Sequence, residues 1–286
     1  MICCSVSVPC GCGRFVGVFM GKCVFCGAVG KLTREHIWAD WLRAYIPKTM
    51  TSYEAGKVTI NLPGIPDKIE GKKIGGDPHS RRVKCVCGSC NSGWMSGLQE
   101  RVKPVAIPLI EGHPIKLSLP QQKALAAWIA MAVMCSEFGD KTRIAIHQDH
   151  RDILYHHHVP PAGNWRIWIA RYHTSEHARR WDHRVLTIVP QKEVDQAAFA
   201  AAPFYNTQST TYRVGELFIH AISSTWRKCI VKHRFVVPGN LLCEIWPARG
   251  ASISWPPTRG LTDIEANRVA AGFFDAIRRA GLKGMK

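Results

Sequence analysis

Two cysteine pairs frame the stretch of sequence that decides the fold: residues 23–26 read CVFC, and residues 87–100 read CGSCNSGWMSGLQE. The C-x-x-C spacing lets a tight turn present two thiolates to one metal ion, and two such pairs fill all four positions of tetrahedral zinc. We therefore expect a closed, structural Zn²⁺ site rather than a catalytic one. Cys85 is a competing ligand, but it lacks this spacing and is more simply interpreted as a buried thiol on the incoming strand. The predicted zinc ligands are Cys23, Cys26, Cys87 and Cys90.

The charge balance predicts a polyanionic partner. The 286 residues include 38 Lys and Arg against 21 Asp and Glu, which leaves a formal net charge of +17. Lysines and arginines that dock on phosphates release condensed counterions, so this excess favours nucleic acid. An anionic membrane surface and simple solubility are the alternatives. A hydrophobic content of 46% with 21% charged residues is typical of a globular chain and argues against global disorder.

The cysteine spacing and the N-terminal sequence predict the cellular compartment. Paired C-x-x-C units in a chain of this length indicate a reducing, intracellular (cytoplasmic) setting rather than a secreted disulfide framework. No run approaches the roughly 20 apolar residues that span a bilayer, so we expect no membrane partner. Residues 1–21 lack the basic start of a signal peptide and are predicted to be a poorly ordered extension. The alternative is that their own cysteines form a second knuckle.

Two regions of different character follow. Residues 22–103 hold both cysteine pairs; within them, residues 47–84 are rich in Gly, Pro and Lys and predict a long loop or a β-hairpin. The helix that opens after the second pair is predicted to stop at Pro104. Residues 104–286 read as a larger α+β domain. The overall prediction is an α+β fold, with a small zinc-stapled N-terminal module and a larger C-terminal domain.

Several elements of the C-terminal region are predicted from their patterns. Residues 121–139 are apolar nearly all round and predict a buried helix. Alternation of apolar and polar residues predicts strands in NWRIWIARYH and TTYRVGELFIHAI. Residues 262–281 predict an amphipathic helix that Thr262 or Asp263 would cap. No motif in residues 105–286 predicts a specific chemistry, so the role of this domain stays open.

Polar motifs beside the two cysteine pairs carry a family resemblance. LTREHIWADWL occupies residues 32–42, and Asn91 follows the second pair directly. An acidic residue followed by His, together with C-x-x-C-N, resembles the HNH (ββα-metal) endonuclease family. The four-cysteine branch of that family, which includes phage Holliday-junction resolvases, is the most similar. The resemblance covers residues 22–100 and implies a ββα-metal fold for the N-terminal module.

The resemblance also implies an activity, the metal-dependent hydrolysis of phosphodiester bonds in DNA. His36 would take a proton from the attacking water as general base. Glu35 and Asn91 would hold a catalytic Mg²⁺ or Mn²⁺ ion, because hard oxygen ligands with open positions suit these ions. The basic loop 66–84, with its adjacent lysines, would contact the DNA backbone.

Three departures from the family pattern keep a second hypothesis open. The family carries an Asn on the second strand, whereas residues 80–84 read SRRVK here; a backbone carbonyl could orient the imidazole instead. Ala39 replaces a frequent Pro, and Glu35 replaces the commoner Asp. The second hypothesis is a non-catalytic zinc-ribbon protein that binds nucleic acid or serves assembly.

Each candidate residue also has a simpler interpretation. His36 could be a packing histidine, Glu35 a surface carboxylate or an N-terminal helix charge, and Asn91 a helix cap. The run His156–His158 could bind a metal, but it is more simply a polar loop.

Overall fold

The computed structural model describes residues 20–45, 51–59, 68–77, 80–173, 180–188, 205–233, 235 and 241–283. Helices and antiparallel sheets alternate along these ranges, which confirms the α+β prediction. The first 19 residues lie outside the described ranges, and with them the cysteines considered for a second knuckle. The prediction of a poorly ordered extension is wrong for Met20 and Gly21, which belong to a paired strand, Met20–Lys22.

The N-terminal region follows the order strand, strand, helix around the two cysteine pairs. A three-stranded antiparallel sheet has the order β1-β2-β5, so the strand after the first pair lies beside the strand before the second pair. A helical run that is kinked at Gly93 then leaves the second pair. Its elements are β1 (Met20–Lys22), β2 (Val29–His36), a 3₁₀ helix (Asp40–Ala44), β5 (Arg82–Cys87), α1 (Gly88–Cys90), a π-helical segment (Asn91–Met95) and α2 (Ser96–Glu111).

A β-hairpin occupies part of the Gly- and Lys-rich insertion between β2 and β5. Strand β3 (Ser52–Thr59) pairs antiparallel with β4 (Lys68–Gly75), from Ser52 opposite Gly75 to Thr59 opposite Lys68. The hairpin alternative for residues 47–84 is thus confirmed for the described residues. The proposed DNA-contacting lysines, Lys72 and Lys73, lie on β4.

The prediction that Pro104 ends the helix is wrong. Helix α2 continues to Glu111 with Pro104 and Pro108 inside it. Each proline removes one backbone hydrogen bond at a cost of about 3 kcal/mol or more. The burial of Val102, Val105, Ala106, Leu109 and Ile110 against the rest of the core offsets that cost. The helix instead ends at Gly112, whose φ of 74° lies in the left-handed region.

The larger region is built around a buried helix and a five-stranded antiparallel sheet of order β11-β7-β10-β9-β8. Helix α3 is buried on nearly all sides, as predicted, and packs against α2, α4, β5 and β11. The predicted strands at β7, β9 and β10 are confirmed. A separate two-stranded sheet pairs β6 with β12. The elements are β6 (Ile115–Leu117), α3 (Leu119–Ser136), 3₁₀ helices Glu137–Gly139 and Lys141–Arg143, α4 (Gln148–His157), β7 (Trp165–Arg171), β8 (Arg180–Leu186), β9 (Thr207–Val214), β10 (Leu217–Ser224), α5 (Arg227–Lys232), β11 (Cys243–Trp246), β12 (Ile253–Trp255) and α6 (Asp263–Lys283).

The last helix begins as its sequence predicts. Thr262 Oγ1 accepts a hydrogen bond from the backbone N–H of Glu265 at 3.3 Å, and the Glu265 carboxylate accepts one from the Thr262 N–H at 2.9 Å. This reciprocal pair is a capping box, so Thr262 caps α6. No described helix is both long enough and apolar enough to cross a membrane.

One hydrophobic core joins the two regions. A single cluster of buried residues runs from Cys23 to Trp255 and includes the buried faces of α2 and α3. The predicted domain boundary at 103/104 falls inside α2. The thiol-rich module is therefore packed directly onto the helix and sheet that follow it.

Candidate metal centre and the surrounding polar residues

Four thiols meet where the β1–β2 turn approaches the start of α1. The sulfurs of Cys26 and Cys87 are 3.6 Å apart. Zn–S bonds of about 2.3 Å place tetrahedral ligands about 3.8 Å from one another, whereas a disulfide would need about 2 Å. The cluster therefore has the spacing of a tetrahedral metal site and could hold an ion such as zinc. Four free cysteines with sulfur atoms within 4.8 Å of one another form it: Cys23, Cys26, Cys87 and Cys90.

Backbone hydrogen bonds shape the first cysteine turn. The N–H of Gly27 donates to Cys23 O at 3.0 Å, and Gly27 adopts a φ of 72°, where a Cβ would be costly. The N–H of Val24 donates to Cys85 O at 3.0 Å and ties the turn to β5. Burial by itself raises the pKa of the Cys23 thiol, but neighbouring backbone N–H groups lower it to about 7. These N–H groups thus favour the thiolate of Cys23, which is the form that binds metal, whereas burial raises the pKa of Cys26 in the same turn.

The second turn opens the helical run, and it separates Cys85 from the ligands. Cys87 Sγ accepts the backbone N–H of Cys90 at 3.5 Å, so Cys87 caps the helix start. Cys85 is 1% exposed and is hydrogen-bonded to Cys135 of α3, an interaction that raises the pKa of Cys135. The interpretation of Cys85 as a buried thiol outside the four-sulfur cluster is confirmed.

Glu35 and Asn91 lie together on the inner face of β2. Glu35 is only 8% exposed, so it is not a surface carboxylate. Burial raises the pKa of Glu35 to about 7, and a hydrogen bond from Asn91 only partly opposes that shift. A nearby cation would offset the cost of ionising this carboxyl away from water.

Thr33 connects Asn91 to the sheet. Asn91 Nδ2 donates to Thr33 Oγ1 at 3.1 Å, and Thr33 Oγ1 donates to Val86 O at 3.1 Å. Thr33 and Glu35 share one face of β2 because side chains alternate along a strand. Asn91 lies inside the helical run, three residues after its start, so the interpretation of Asn91 as an N-cap is wrong.

His36 contacts a different set of residues on the outer face of β2. It stands opposite Arg82 of β5, and Arg82 Nε donates a hydrogen bond to His36 Nε2 at 2.7 Å. Arg43 Nη2 lies 3.4 Å from the same nitrogen, and Asp40 Oδ1 lies 3.5 Å from it. Asp40 also binds Arg43 Nε at 3.1 Å. The imidazole is 17% exposed at the sheet edge, so His36 is not a core packing residue.

These neighbours determine the state of the imidazole. Burial and the positive charge of Arg82 lower the pKa of His36, and Asp40 opposes the shift. His36 is therefore neutral at neutral pH. Because Nε2 accepts the hydrogen bond from Arg82, Nε2 holds the lone pair and Nδ1 holds the proton.

The structure thus brings two of the three predicted catalytic residues into contact. Glu35 meets Asn91, whereas His36, the adjacent residue on the strand, faces the arginines. Sequence reasoning missed Thr33, Asp40, Arg43 and Arg82. Asp40 and Arg43 carried a signal, since they follow His36 by four and seven positions on a short helix. Arg82 could be found only from the strand register, because the pairing of β2 with β5 is what places it opposite His36.

Residues from distant parts of the chain cover the Glu35 pocket. Gln99 of α2 lines it, and so do Met131 and Cys135 of α3. Tyr212 of β9 also reaches the pocket and packs edge-on against Trp38, with ring centroids 5.7 Å apart. The C-terminal region therefore closes the inner side of the candidate site.

The histidine run does not form a metal cluster with other described ligands. His156 and His157 lie in the last turn of α4, and His158 ends the helix with a φ of 53°. The ring of His158 lies 5.7 Å from that of Trp94. Among the described residues, the four cysteines form the one group of three or more metal-binding side chains.

Comparisons with known proteins return no relative. No family model matches the chain, and neither a curated protein nor a solved structure is significantly similar to it. The site is therefore interpreted from its own chemistry.

Proposed function

We propose that the N-terminal region is a metal-dependent DNA endonuclease of the HNH type, in which the thiol cluster is a structural zinc site. The hydrogen bond between Glu35 and Asn91, the residue that follows Cys90 of that cluster, carries the proposal. The two residues are 56 positions apart in sequence, and the strand and turn that bear them converge at the four sulfurs. A carboxyl and an amide at such a junction are the ligands that the proposed nuclease requires.

The donor set fits a hard divalent cation, Mg²⁺ or Mn²⁺. Glu35 offers a carboxylate oxygen and Asn91 an amide oxygen, both of which these ions accept. The raised pKa of Glu35 supports the fit, because a bound cation would restore the ionised form that burial disfavours. When bound, such an ion would stabilise charge on the scissile phosphate and on the leaving oxygen.

His36 is the proposed general base. Its neutral imidazole presents a lone pair at Nε2, which can accept the proton of an attacking water. Glu35 and His36 are the last two residues of β2 and their side chains lie on opposite faces of the strand, so a scissile phosphodiester would have to cross the strand end to meet both. The lysines of β4 are proposed to contact the DNA backbone further away.

A plasmid-nicking assay with Mg²⁺ or Mn²⁺ tests the proposal. We expect the wild-type chain to nick supercoiled DNA, and we expect Glu35→Gln, Asn91→Ala and His36→Ala each to lower the rate by at least about 100-fold, the usual contribution of a catalytic acid or base. His113→Ala is the matched control, because His113 is an exposed histidine that pairs with Glu111 away from the candidate site. Equal rates for the wild type and His36→Ala, or no nicking by the wild type with either metal, would overturn the proposal.

A second function is favoured by one specific observation: Arg82 already occupies His36 Nε2, and His36 contacts neither Glu35 nor Asn91 through a hydrogen bond among those described. On this alternative the region is a zinc ribbon that binds nucleic acid without cutting it. It predicts salt-sensitive DNA binding that survives Glu35→Gln and His36→Ala, together with the absence of metal-dependent nicking.

A further inference from the structure

The outer face of the β2–β5 pair is lined with positive charge. Arg34 stands directly opposite Lys84, and His36 stands directly opposite Arg82. The side chains of Arg34, Arg82 and Lys84 are exposed. Like charges placed opposite each other on a sheet repel and destabilise the pair. An anionic group bound to this face would therefore reduce the repulsion between the two strands.

The protein supplies little of that neutralisation. Within the ranges that the structure describes, Asp40 is the one carboxylate found in contact with this face, and it is shared between Arg43 and His36. Arg82 uses one N–H on His36, whereas a guanidinium carries five N–H donors. The donors that remain face solvent at the same edge as the imidazole.

We propose that Arg82 and Arg43 form a phosphate clamp for the nucleic-acid backbone, and that Arg82 releases His36 Nε2 when a phosphate binds. This inference deepens the proposed nuclease function and rests on it for the choice of DNA as partner. Arg34 and Lys84 extend the clamp along the strands. Residues two apart on a strand are about 7 Å from one another, so the face spans more than a single phosphate.

The chemistry of the two groups supports the exchange. A guanidinium binds phosphate through two parallel, charge-assisted hydrogen bonds, which are roughly twice as strong as neutral ones. The bond between Arg82 and the neutral imidazole has only one charged partner and one N–H. A phosphate on Arg82 and Arg43 therefore competes with His36 for Arg82. In the free protein Arg82 orients the imidazole, and in the complex Nε2 is free to accept a proton beside the bound phosphate.

DNA binding without added Mg²⁺ or Mn²⁺ tests the clamp apart from any cleavage. A short fluorescein-labelled duplex is titrated with wild-type protein, Arg82→Ala and Arg43→Ala at several salt concentrations. We expect each variant to bind more weakly and to lower the slope of log affinity against log salt by about 1, the loss of one phosphate contact. Arg82→Lys keeps the charge and should keep the slope. Arg249→Ala is the control, because it removes an equal charge from an exposed arginine on another face.

The outcomes separate the clamp from the nuclease. Unchanged slopes for Arg82→Ala and Arg43→Ala, or no DNA binding by the wild type, would overturn the clamp whatever the nicking assay shows. Reduced slopes would support it even if the wild type never cuts DNA, in which case the endonuclease proposal alone fails. Zinc content and thermal unfolding of each variant confirm that the fold is intact.

The release of His36 has its own readout. The ¹⁵N resonance of His36 Nε2 reports the hydrogen bond from Arg82. We expect this resonance to shift when unlabelled duplex is added to the wild type without Mg²⁺ or Mn²⁺, and to stand near its DNA-bound position in Arg82→Ala without DNA. A resonance that stays unchanged on saturation with DNA would contradict the release.

Discussion

Two buried carboxyls, one in each region of the molecule, are treated very differently by their surroundings. Glu137, at the end of α3, accepts N–H groups from Ala145 at 2.9 Å and Ile146 at 3.2 Å, and it pairs with Arg151 at 2.9 Å. Glu35 has an apolar pocket around it and a hydrogen bond from Asn91. Both side chains are withdrawn from water.

This difference distinguishes a buried carboxyl that stabilises the fold from one that is a candidate metal ligand. At Glu137 a guanidinium and two backbone donors compensate the negative charge, so the carboxylate holds the chain together. At Glu35 the charge is under-compensated, and burial shifts the pKa upward. A buried carboxyl that is not matched by a cationic side chain is a candidate metal ligand, because a bound metal ion can supply the compensating positive charge.

The largest expected effect concerns the four-thiol cluster, the proposed zinc site. Cys87→Ser should abolish zinc binding and unfold this region, because structural zinc contributes roughly 10 kcal/mol or more to folding in zinc-finger peptides. Metal analysis and thermal unfolding measure the change. Cys243→Ser, in the C-terminal sheet, is the matched control and should keep its zinc. A Cys87→Ser protein with full zinc content would contradict the assignment.

The next effect concerns Glu137. Glu137→Gln should lower the free energy of unfolding by about 3 to 5 kcal/mol, because it leaves the Arg151 charge buried without its partner. Denaturant unfolding measures the loss. Glu100→Gln is the control: Glu100 pairs with Lys103 on the surface, and such pairs contribute about 1 kcal/mol or less. Similar losses in both variants would mean that Glu137 is not a structural acid.

Glu35→Gln should raise the free energy of unfolding when Mg²⁺ and Mn²⁺ are absent and the thiol cluster keeps its zinc. The pKa of Glu35 is about 7 in the fold against an ordinary value of 4.5, so the folded state holds more protons and loses stability as the pH rises through that window. Glutamine does not titrate. The variant should therefore gain about 2 to 3 kcal/mol over the wild type by pH 7, and the gain should disappear below pH 4.5. A difference independent of pH would contradict the burial argument.

The smallest effect on stability is expected at Thr33. Thr33→Val removes the hydrogen bonds to Asn91 and to the Val86 carbonyl while keeping the shape, at a cost of about 1 kcal/mol each. If Asn91 is a metal ligand, Mn²⁺ affinity measured by calorimetry should fall by about 10- to 100-fold. Ser92→Ala removes a hydrogen bond from the same turn and should leave the affinity unchanged.

The sequence predicted much of the local structure. The thiol spacing, the buried helix α3, the strands β7, β9 and β10 and the Thr262 cap all follow from short-range patterns, and the structure agrees. The helix through Pro104 was missed because its stability comes from burial against α3, which no local rule contains. The same holds for the domain boundary, since the core is continuous across residue 104.

What the sequence by itself determined is which groups are present and how neighbours are spaced: two thiols in each turn, an acid beside a histidine, an asparagine after a cysteine. Only the tertiary structure decided which of them meet. The register of β2 with β5 turns Glu35 inward to Asn91 and places His36 against Arg82, and α3 and β9 close the pocket from far along the chain. Spacing follows from bond geometry within a few residues, whereas register and closure follow from the burial of surfaces contributed by the whole chain.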